Sequence, residues 1–293
     1  MKLTIYLKQY ERVGYAQEDI KLNEYKEAEI LYNDQQQLLE ETHFSSDNQL
    51  VSKITNQYDA QNRLISTSMY DEENLLIRRT IYAYNDEGDL CKKEEFYGED
   101  NEMAYTSEFV YNEHKILLQK ACDGDDSYIE KSYRYEGDNL IEQIDYDDFG
   151  EKQYIHQYTY NDAGEVTSYI RNEVQAKDRR TFLYEYNNGK KIKELVYNYS
   201  DTLIAAKYWS YSDQDLLLEI EEEDLDSYQK LVYHYEEERV IAVEKLDKSG
   251  KTIEKTEFFI DDKGQDSKAI NYALDEVNPS ELRLVSEIIY ERS

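Results

Sequence analysis

The stretch Tyr84-Asn85-Asp86-Glu87-Gly88-Asp89-Leu90 returns as Tyr160-Asn161-Asp162-Ala163-Gly164-Glu165-Val166 and, in shorter form, as Ile260-Asp261-Asp262-Lys263-Gly264. An Asx residue opens a type I turn and a glycine at positive φ closes it. In the hairpin loop built on that turn the flanking residues face each other. The pattern therefore pairs Tyr84 with Leu90 and Tyr160 with Val166. The same tyrosine stands before a turn-like cluster at Tyr58, Tyr111, Tyr135, Tyr186, Tyr211 and Tyr235. Tyr32 extends the series at the front and Ile260 at the back, giving ten units spaced 24 to 27 residues apart. A fixed period of this size is the mark of a repeat architecture.

With the anchor at position zero, two positions earlier stand Ile30, Asn56, Tyr82, Phe109, Tyr133, Tyr158, Tyr184, Trp209, Tyr233 and Phe258. Six positions later stand Leu38, Leu64, Leu90, Leu117, Ile141, Val166, Ile192, Leu217, Ile241 and Asp266. Large apolar residues in period two on either side of a polar cluster are a strand signature, not a helical one. Where the closing glycine is missing, Asn62 and Asn139 suit the left-handed position. Lys115, Asp215 and Arg239 suit it poorly, so those units are expected to turn differently.

A second turn falls midway in each unit, as at Asp71-Glu72-Glu73-Asn74, Gly98-Glu99-Asp100-Asn101, Asp123-Gly124-Asp125-Asp126, Asp147-Asp148-Phe149-Gly150 and Asp247-Lys248-Ser249-Gly250. Each unit is thus two strands, and the chain about 20 antiparallel strands with a sheet width of roughly 90 to 100 Å. Such a sheet must twist or curl, and closed into a barrel it would have an interior too wide for side chains to fill. The expectation is an all-β, elongated, twisted or spiralling β-hairpin solenoid in one domain spanning 1–293. Within it, 1–30 would be an N-terminal capping unit, 31–270 the tandem repeats and 271–293 a C-terminal cap. The last segment reads either as a short helix starting at Asn278-Pro279-Ser280-Glu281 or as a strand from Arg283 to Tyr290.

The 293 residues carry 65 Asp and Glu against 34 Lys and Arg, a net charge of −31. Spread over a sheet, this charge keeps long strands soluble and opposes edge-to-edge stacking. It also suits a basic protein partner. Nucleic acid is disfavoured, because phosphate contacts need clustered cations and the basic groupings are short: Arg78-Arg79, Lys177 to Arg180 and Lys190-Lys191. The start of the chain has no apolar segment of the export type and no long apolar run follows, so cytoplasm is the expected location and no membrane partner is expected. Cys91 and Cys122 read as small apolar packers.

Motifs of catalysis are missing. His43, His114, His156 and His234 lie far apart without metal-ligand spacing. There is no phosphate loop and no nucleophile elbow, and Asp123-Gly124-Asp125-Asp126-Ser127 lacks the calcium-loop pattern. The chain reads as non-enzymatic, with no cofactor and no metal. Its candidate binding residues are an aromatic ladder and an acidic run. The ladder comprises Tyr82, Tyr84, Tyr133, Tyr135, Tyr158, Tyr160, Tyr184, Tyr186, Trp209, Tyr211, Tyr233 and Tyr235. The acidic run is Glu221, Glu222, Glu223 and Asp224. The rings are expected to pack as a cross-strand ladder with hydroxyls in water, or to line a concave groove for another polypeptide, or to stack on sugars.

Tyr58-Asp59-Ala60-Gln61-Asn62-Arg63-Leu64 resembles the Tyr-Asp-x-x-Gly-Arg-Leu core of the YD repeat of Rhs and teneurin-type proteins, with Asn62 in place of Gly. Copies at Tyr84, Tyr160 and Tyr186 are similar in plan. The resemblance implies a spiralling antiparallel sheet, and Rhs shells enclose a toxin. The expected function is a protein-binding repeat scaffold with an acidic, tyrosine-rich surface. An immunity or antitoxin-like inhibitor that masks a cationic toxin is the alternative, and an acidic DNA-mimic decoy the third.

Overall fold

A computed structural model describes residues 1–11, 20–98, 100, 102–123, 126–275, 278 and 280–293. The strands follow in order as β1 (Lys2–Glu11), β2 (Ile20–Tyr32), β3 (Leu38–Phe44), β4 (Leu50–Tyr58), β5 (Leu64–Tyr70), β6 (Leu76–Tyr84) and β7 (Leu90–Tyr97). Next come β8 (Glu102–Asn112), β9 (Lys115–Asp123), β10 (Asp126–Glu136), β11 (Asn139–Tyr146), β12 (Lys152–Tyr160), β13 (Val166–Glu173) and β14 (Asp178–Asn187). The last are β15 (Lys190–Tyr197), β16 (Leu203–Tyr211), β17 (Leu217–Asp224), β18 (Tyr228–Glu236), β19 (Arg239–Leu246), β20 (Thr252–Ile260), β21 (Asp266–Leu274) and β22 (Leu282–Arg292). Each pairs antiparallel with its sequence neighbours, in one 22-stranded sheet.

The open solenoid is corrected by a single pairing. β1 also runs antiparallel to β22, from Leu3 opposite Arg292 to Gln9 opposite Ser286. The backbone N–H of Lys2 donates to the carbonyl of Ser293 and that of Ser293 donates back to Lys2. The sheet is therefore a closed barrel. Residues 1–30 and 271–293 are not caps over exposed edges: they hold the strands that meet and remove the edges. The proposed helix start at Pro279 lies outside the described residues, and from Leu282 onward the chain is strand, not helix.

The hairpin register follows the tyrosine pattern. Tyr58 faces Leu64, Tyr84 faces Leu90 and Tyr160 faces Val166, each with a one-residue bulge just before the anchor. The opening Asx side chain caps its own loop: Asp59 Oδ1 accepts from the backbone N–H of Gln61 at 2.9 Å and of Arg63 at 2.8 Å. Asn161 does the same for Ala163 and Glu165. Gly88, Gly164 and Gly264 hold the left-handed position, and so do Asn62 and, against expectation, Asp215 at φ 68°. Asn139 does not. The loops before Lys115, Asn139 and Arg239 are shortened to two residues, and Glu113, Gly137 and Glu237 take positive φ there. Of the midway turns, Asn74, Gly98, Gly150 and Gly250 have positive φ, while Glu99, Asn101, Gly124 and Asp125 lie outside the described residues.

Seven of the nine anchor hydroxyls are not left in water. Those of Tyr58, Tyr84, Tyr111, Tyr160, Tyr186, Tyr211 and Tyr235 donate to the backbone carbonyls of Leu38, Leu64, Leu90, Leu140, Val166, Lys191 and Leu217, at 2.7 to 3.1 Å. The reason lies in the seam between units. Between β5 and β6 the last rung toward this rim is Ser66 opposite Ile81. Leu64 stands beyond it, and the side chain of Tyr84 folds over the seam to donate to its carbonyl. The same offset recurs at β7 and β8, where Lys92 opposite Glu108 is the last rung and Tyr111 reaches Leu90. An unpaired backbone carbonyl is costly when shielded from water, so each anchor ring covers a carbonyl and satisfies it at once.

The barrel has little conventional core. Its accessible surface is 18400 Å², against about 13,000 Å² expected for a compact 35.0 kDa chain. Among the described residues the buried apolar side chains are Ala28, Ala121, Ala242 and Ala269. The wall is a single sheet with side chains half-buried or exposed on both faces, held by its ladder and by cross-strand pairs.

Tyr160→Phe, which removes only the donor to Leu140, is expected to cost about 1 kcal/mol in a urea melt, and Tyr160→Ala about 2 to 4 kcal/mol. Equal effects of the two would show that the hydroxyl contributes nothing. At Gly164, with φ 79° and no atom near the added Cβ, Asn is expected to be accepted and Val to destabilise by about 1 to 2 kcal/mol. The left-handed Asn62 is the internal precedent.

Candidate functional site

Strand alternation brings the predicted aromatic residues onto one face of the sheet. On β6, β10, β12, β14, β16 and β18 the anchor and the ring two residues before it point the same way. Contact is densest on β12 to β14. Tyr158 stacks on Tyr169 with centroids 5.0 Å apart, Tyr169 meets Phe182 at 5.1 Å, and His156 lies parallel to Tyr169 at 5.9 Å. Burial pushes the phenols of Tyr133, Tyr158 and Tyr184 up to about 12, with neighbouring acids or phenols adding to the rise. The band is already a cation receptor within its own chain. Lys191 Nζ sits 4.2 Å from the Tyr184 ring and 5.6 Å from Trp209, Lys207 lies 5.4 Å from Trp209, and the Arg63 guanidinium covers Tyr84 at 4.6 Å. Tyr82 and Tyr233 share this face but stand elsewhere around the wall. The predicted ladder is thus a band around a closed sheet, not the lining of a solenoid groove.

The acidic run does not form one patch. Along β17 successive residues face opposite sides: Glu222 is opposite Lys207 and Asp224 opposite Ala205, whereas Glu221 is opposite Tyr208 and Glu223 opposite Ala206. All four are engaged, Glu221 through a side-chain hydrogen bond with Tyr228. Glu222 pairs with Lys207 and accepts from Gln229, and Glu223 pairs with Lys248 at 2.5 Å. Asp224 caps the following turn through the N–H groups of Asp226 and Ser227. Lys207 holds the Glu222 carboxyl below its ordinary range.

A constellation that sequence spacing did not reveal joins β11, β12 and β13. His156 Nδ1 is 2.7 Å from the Tyr169 hydroxyl, and its buried Nε2 faces Asp145 Oδ2 at 3.6 Å, an ion-pair distance longer than a hydrogen bond. Asp145 also accepts from Gln143 at 2.7 Å and lies 3.4 Å from Lys131 Nζ. Burial raises the Asp145 pKa, but His156, Gln143 and Lys131 outweigh it and hold the group at about 2. Burial pushes the Tyr169 phenol up from its ordinary value. Tyr169 and Asp145 carry no motif, and only a three-strand register brings them to His156. Among the described residues no group of side chains is arranged to hold a metal ion.

No family model matches the chain, and no curated protein matches it. Among solved structures it is similar to a porin-like protein from Bacteroides uniformis ATCC 8492, at 12% identity and TM-score 0.37, covering 98% of this chain and 95% of that one. It is also similar to the Photorhabdus luminescens Tc holotoxin pore, at 13% identity and TM-score 0.37, covering 85% of this chain and 15% of that one. A third likeness is to a TcdB2-TccC3-Cdc42 structure, at 12% identity and TM-score 0.34, covering 92% and 21%. The solved neighbours thus include Tc toxin proteins, of which this chain spans a small part. Likenesses this distant say nothing about what the barrel binds.

Because the folded Asp145 carboxyl titrates below its ordinary value, it contributes stability that is fully present above about pH 4 and lost as pH falls toward 2. Asp145→Asn is expected to be less stable than the parent at pH 6, with the difference narrowing between pH 4 and 2 in thermal melts. A gap independent of pH would remove the charge interaction from the account.

Proposed function

We propose that this chain is a non-enzymatic binding barrel whose partner is a basic polypeptide. The observation that carries the reading is a closed, single-layer acidic wall of 22 strands whose span exceeds what its own side chains fill. Concave low-dielectric walls of one charge sign focus the field and raise the local concentration of opposite charge. The aromatic band supplies the short-range part, since its rings already take Lys191, Lys207 and Arg63 on their faces. We read Tyr58–Leu64 as a divergent YD repeat, which fits a shell that surrounds another chain.

Charged pairs on both faces of the wall fit this reading. Lys131 pairs with Asp145 on the aromatic face, and Lys193 pairs with Glu185 on the other. A barrel in lipid needs an outward apolar band about 25 Å tall, which such charged pairs interrupt. A cytoplasmic location follows as part of the proposal.

Trp209 is the single tryptophan and sits within the band, so its emission reports occupancy. Titration with a lysine-rich polypeptide is expected to shift that emission. Affinity is expected to fall steeply as the Debye length shrinks from about 30 to 8 Å, mainly through the association rate. Tyr184→Ala is expected to shorten the residence time and leave association unchanged. Equal binding of a glutamate-rich polypeptide, or binding insensitive to salt, would contradict the proposal.

A further inference from the structure

Aligned by their anchors, three of the ten units carry a cation four residues after the anchor, Lys115, Lys190 and Arg239, and in the last of them it has lost its partners. Lys115 donates to the Gly137 carbonyl at 2.6 Å and pairs with the Asp138 carboxylate at 2.7 Å, both in the turn of the next unit. Lys190 does the same with the carbonyl of Asp215 at 2.6 Å and its carboxylate at 3.0 Å. Arg239 is the corresponding residue two units further on, since Glu236 faces Arg239 across its turn as Asn187 faces Lys190. Counted as Lys190 is from Asp215, its partner position is Gly264, which has no side chain; counted as Lys115 is from Asp138, it is Asp262, which makes no ion pair with Arg239. The guanidinium Nη1 of Arg239 is buried and without a hydrogen-bond partner. Its unit also lacks the rim hydroxyl, because the next anchor is Ile260.

A cleft of about 620 Å³ opens at this place, between β18, β19 and β20. Beyond the last rung, Ala242 opposite Glu257, the seam is unpaired, and Ile241, Phe258 and Ile260 give the cleft an apolar wall. Its other charges are largely engaged. Lys255 pairs with Glu257 at 2.8 Å, and Glu244 lies 3.3 Å from His234 and accepts from Thr252. Glu236 stands opposite Arg239 without pairing with it. A buried guanidinium nitrogen without an acceptor is costly, and a planar carboxylate is the acceptor its fork fits best.

We infer that the Arg239 cleft is a binding site for a monocarboxylate with a short apolar body, whose carboxylate takes the place that Asp215 and Asp138 fill in the sibling units. A dianion such as phosphate suits the cleft poorly, because Glu236, Glu244 and Glu257 line it. The carboxylate belongs either to a free acid or to the carboxyl terminus of a peptide. This site is independent of the aromatic band.

Ligand-observed NMR titration of the full chain with hexanoate, hexanamide and inorganic phosphate tests the inference. Hexanoate is expected to bind at least about ten-fold more tightly than either control. Arg239→Gln is expected to weaken it by about ten-fold or more. Gly264→Asp provides a second test that does not depend on losing the arginine, since the position has φ 77° and no atom within 4 Å of an added Cβ, and Asp215 already holds an equivalent conformation. That variant is expected to fold, to pair internally with Arg239 and to exclude hexanoate. Acetyl-Ala-Leu with a free carboxyl, binding more tightly than hexanoate and losing that binding on amidation, would assign the source to a chain terminus. Tighter binding of hexanoate than of the dipeptide would assign it to a free acid. No hexanoate binding, preference for phosphate, or equal affinity in parent and Gly264→Asp would overturn the inference.

Discussion

The pairing of the first strand with the last is the constraint on which the rest of this structure depends. An open sheet of this length ends in two rows of unpaired N–H and C=O groups, each a template for another chain. Here Leu3 to Gln9 meet Ser286 to Arg292, and every strand acquires two neighbours. Ile5 faces Tyr290 and Leu7 faces Ile288 on one side, and Lys8 lies 3.9 Å from Glu287 on the other. The hairpins prepare for this closure. The one-residue bulges beside Tyr58, Tyr84, Tyr160 and Tyr211 each add local twist and bend, so curvature accumulates unit by unit until the ends meet.

Closure has a cost at the rim that the tyrosines meet. The units are offset along the seam, so the ladder between units stops short of the turns. Beyond the last rungs, a row of strand carbonyls accepts from tyrosine hydroxyls. Tyrosine suits this place because one side chain brings both a ring that lies over the open seam and a hydroxyl long enough to reach across it. The repeat is therefore a device for sealing seams between hairpins. Its period is that of the hairpin pair, whatever shape the whole sheet takes.

That independence explains what could be read in the sequence. The Asx-to-Gly turn and the alternating columns specify local hairpin register, and Tyr84 opposite Leu90 follows from them directly. Whether 22 strands spiral open or close depends on summed twist and on the match between Lys2–Glu11 and Leu282–Arg292, neither of which is a local property. A second aromatic column at Phe44, Tyr70, Tyr97, Tyr146 and Tyr197 ends the alternate strands and was available to the same alignment. The aromatic band was legible because its two columns stand in period two on single strands. The separation of Glu221 and Glu223 from Glu222 and Asp224 follows from the same period. His156, Asp145 and Tyr169 meet across three strands, so only the register reveals them. The unpartnered Arg239 becomes visible when the units are compared with one another.

The account stands or falls on the seam between β1 and β22. Spin labels at Gln9→Cys and Ser286→Cys, with Cys91 and Cys122 replaced by serine, report it directly through electron–electron dipolar coupling. The closed barrel predicts a single distance within about 20 Å, as for directly opposed strand residues. A distance on the order of 100 Å, the width of 22 strands laid side by side, would contradict it.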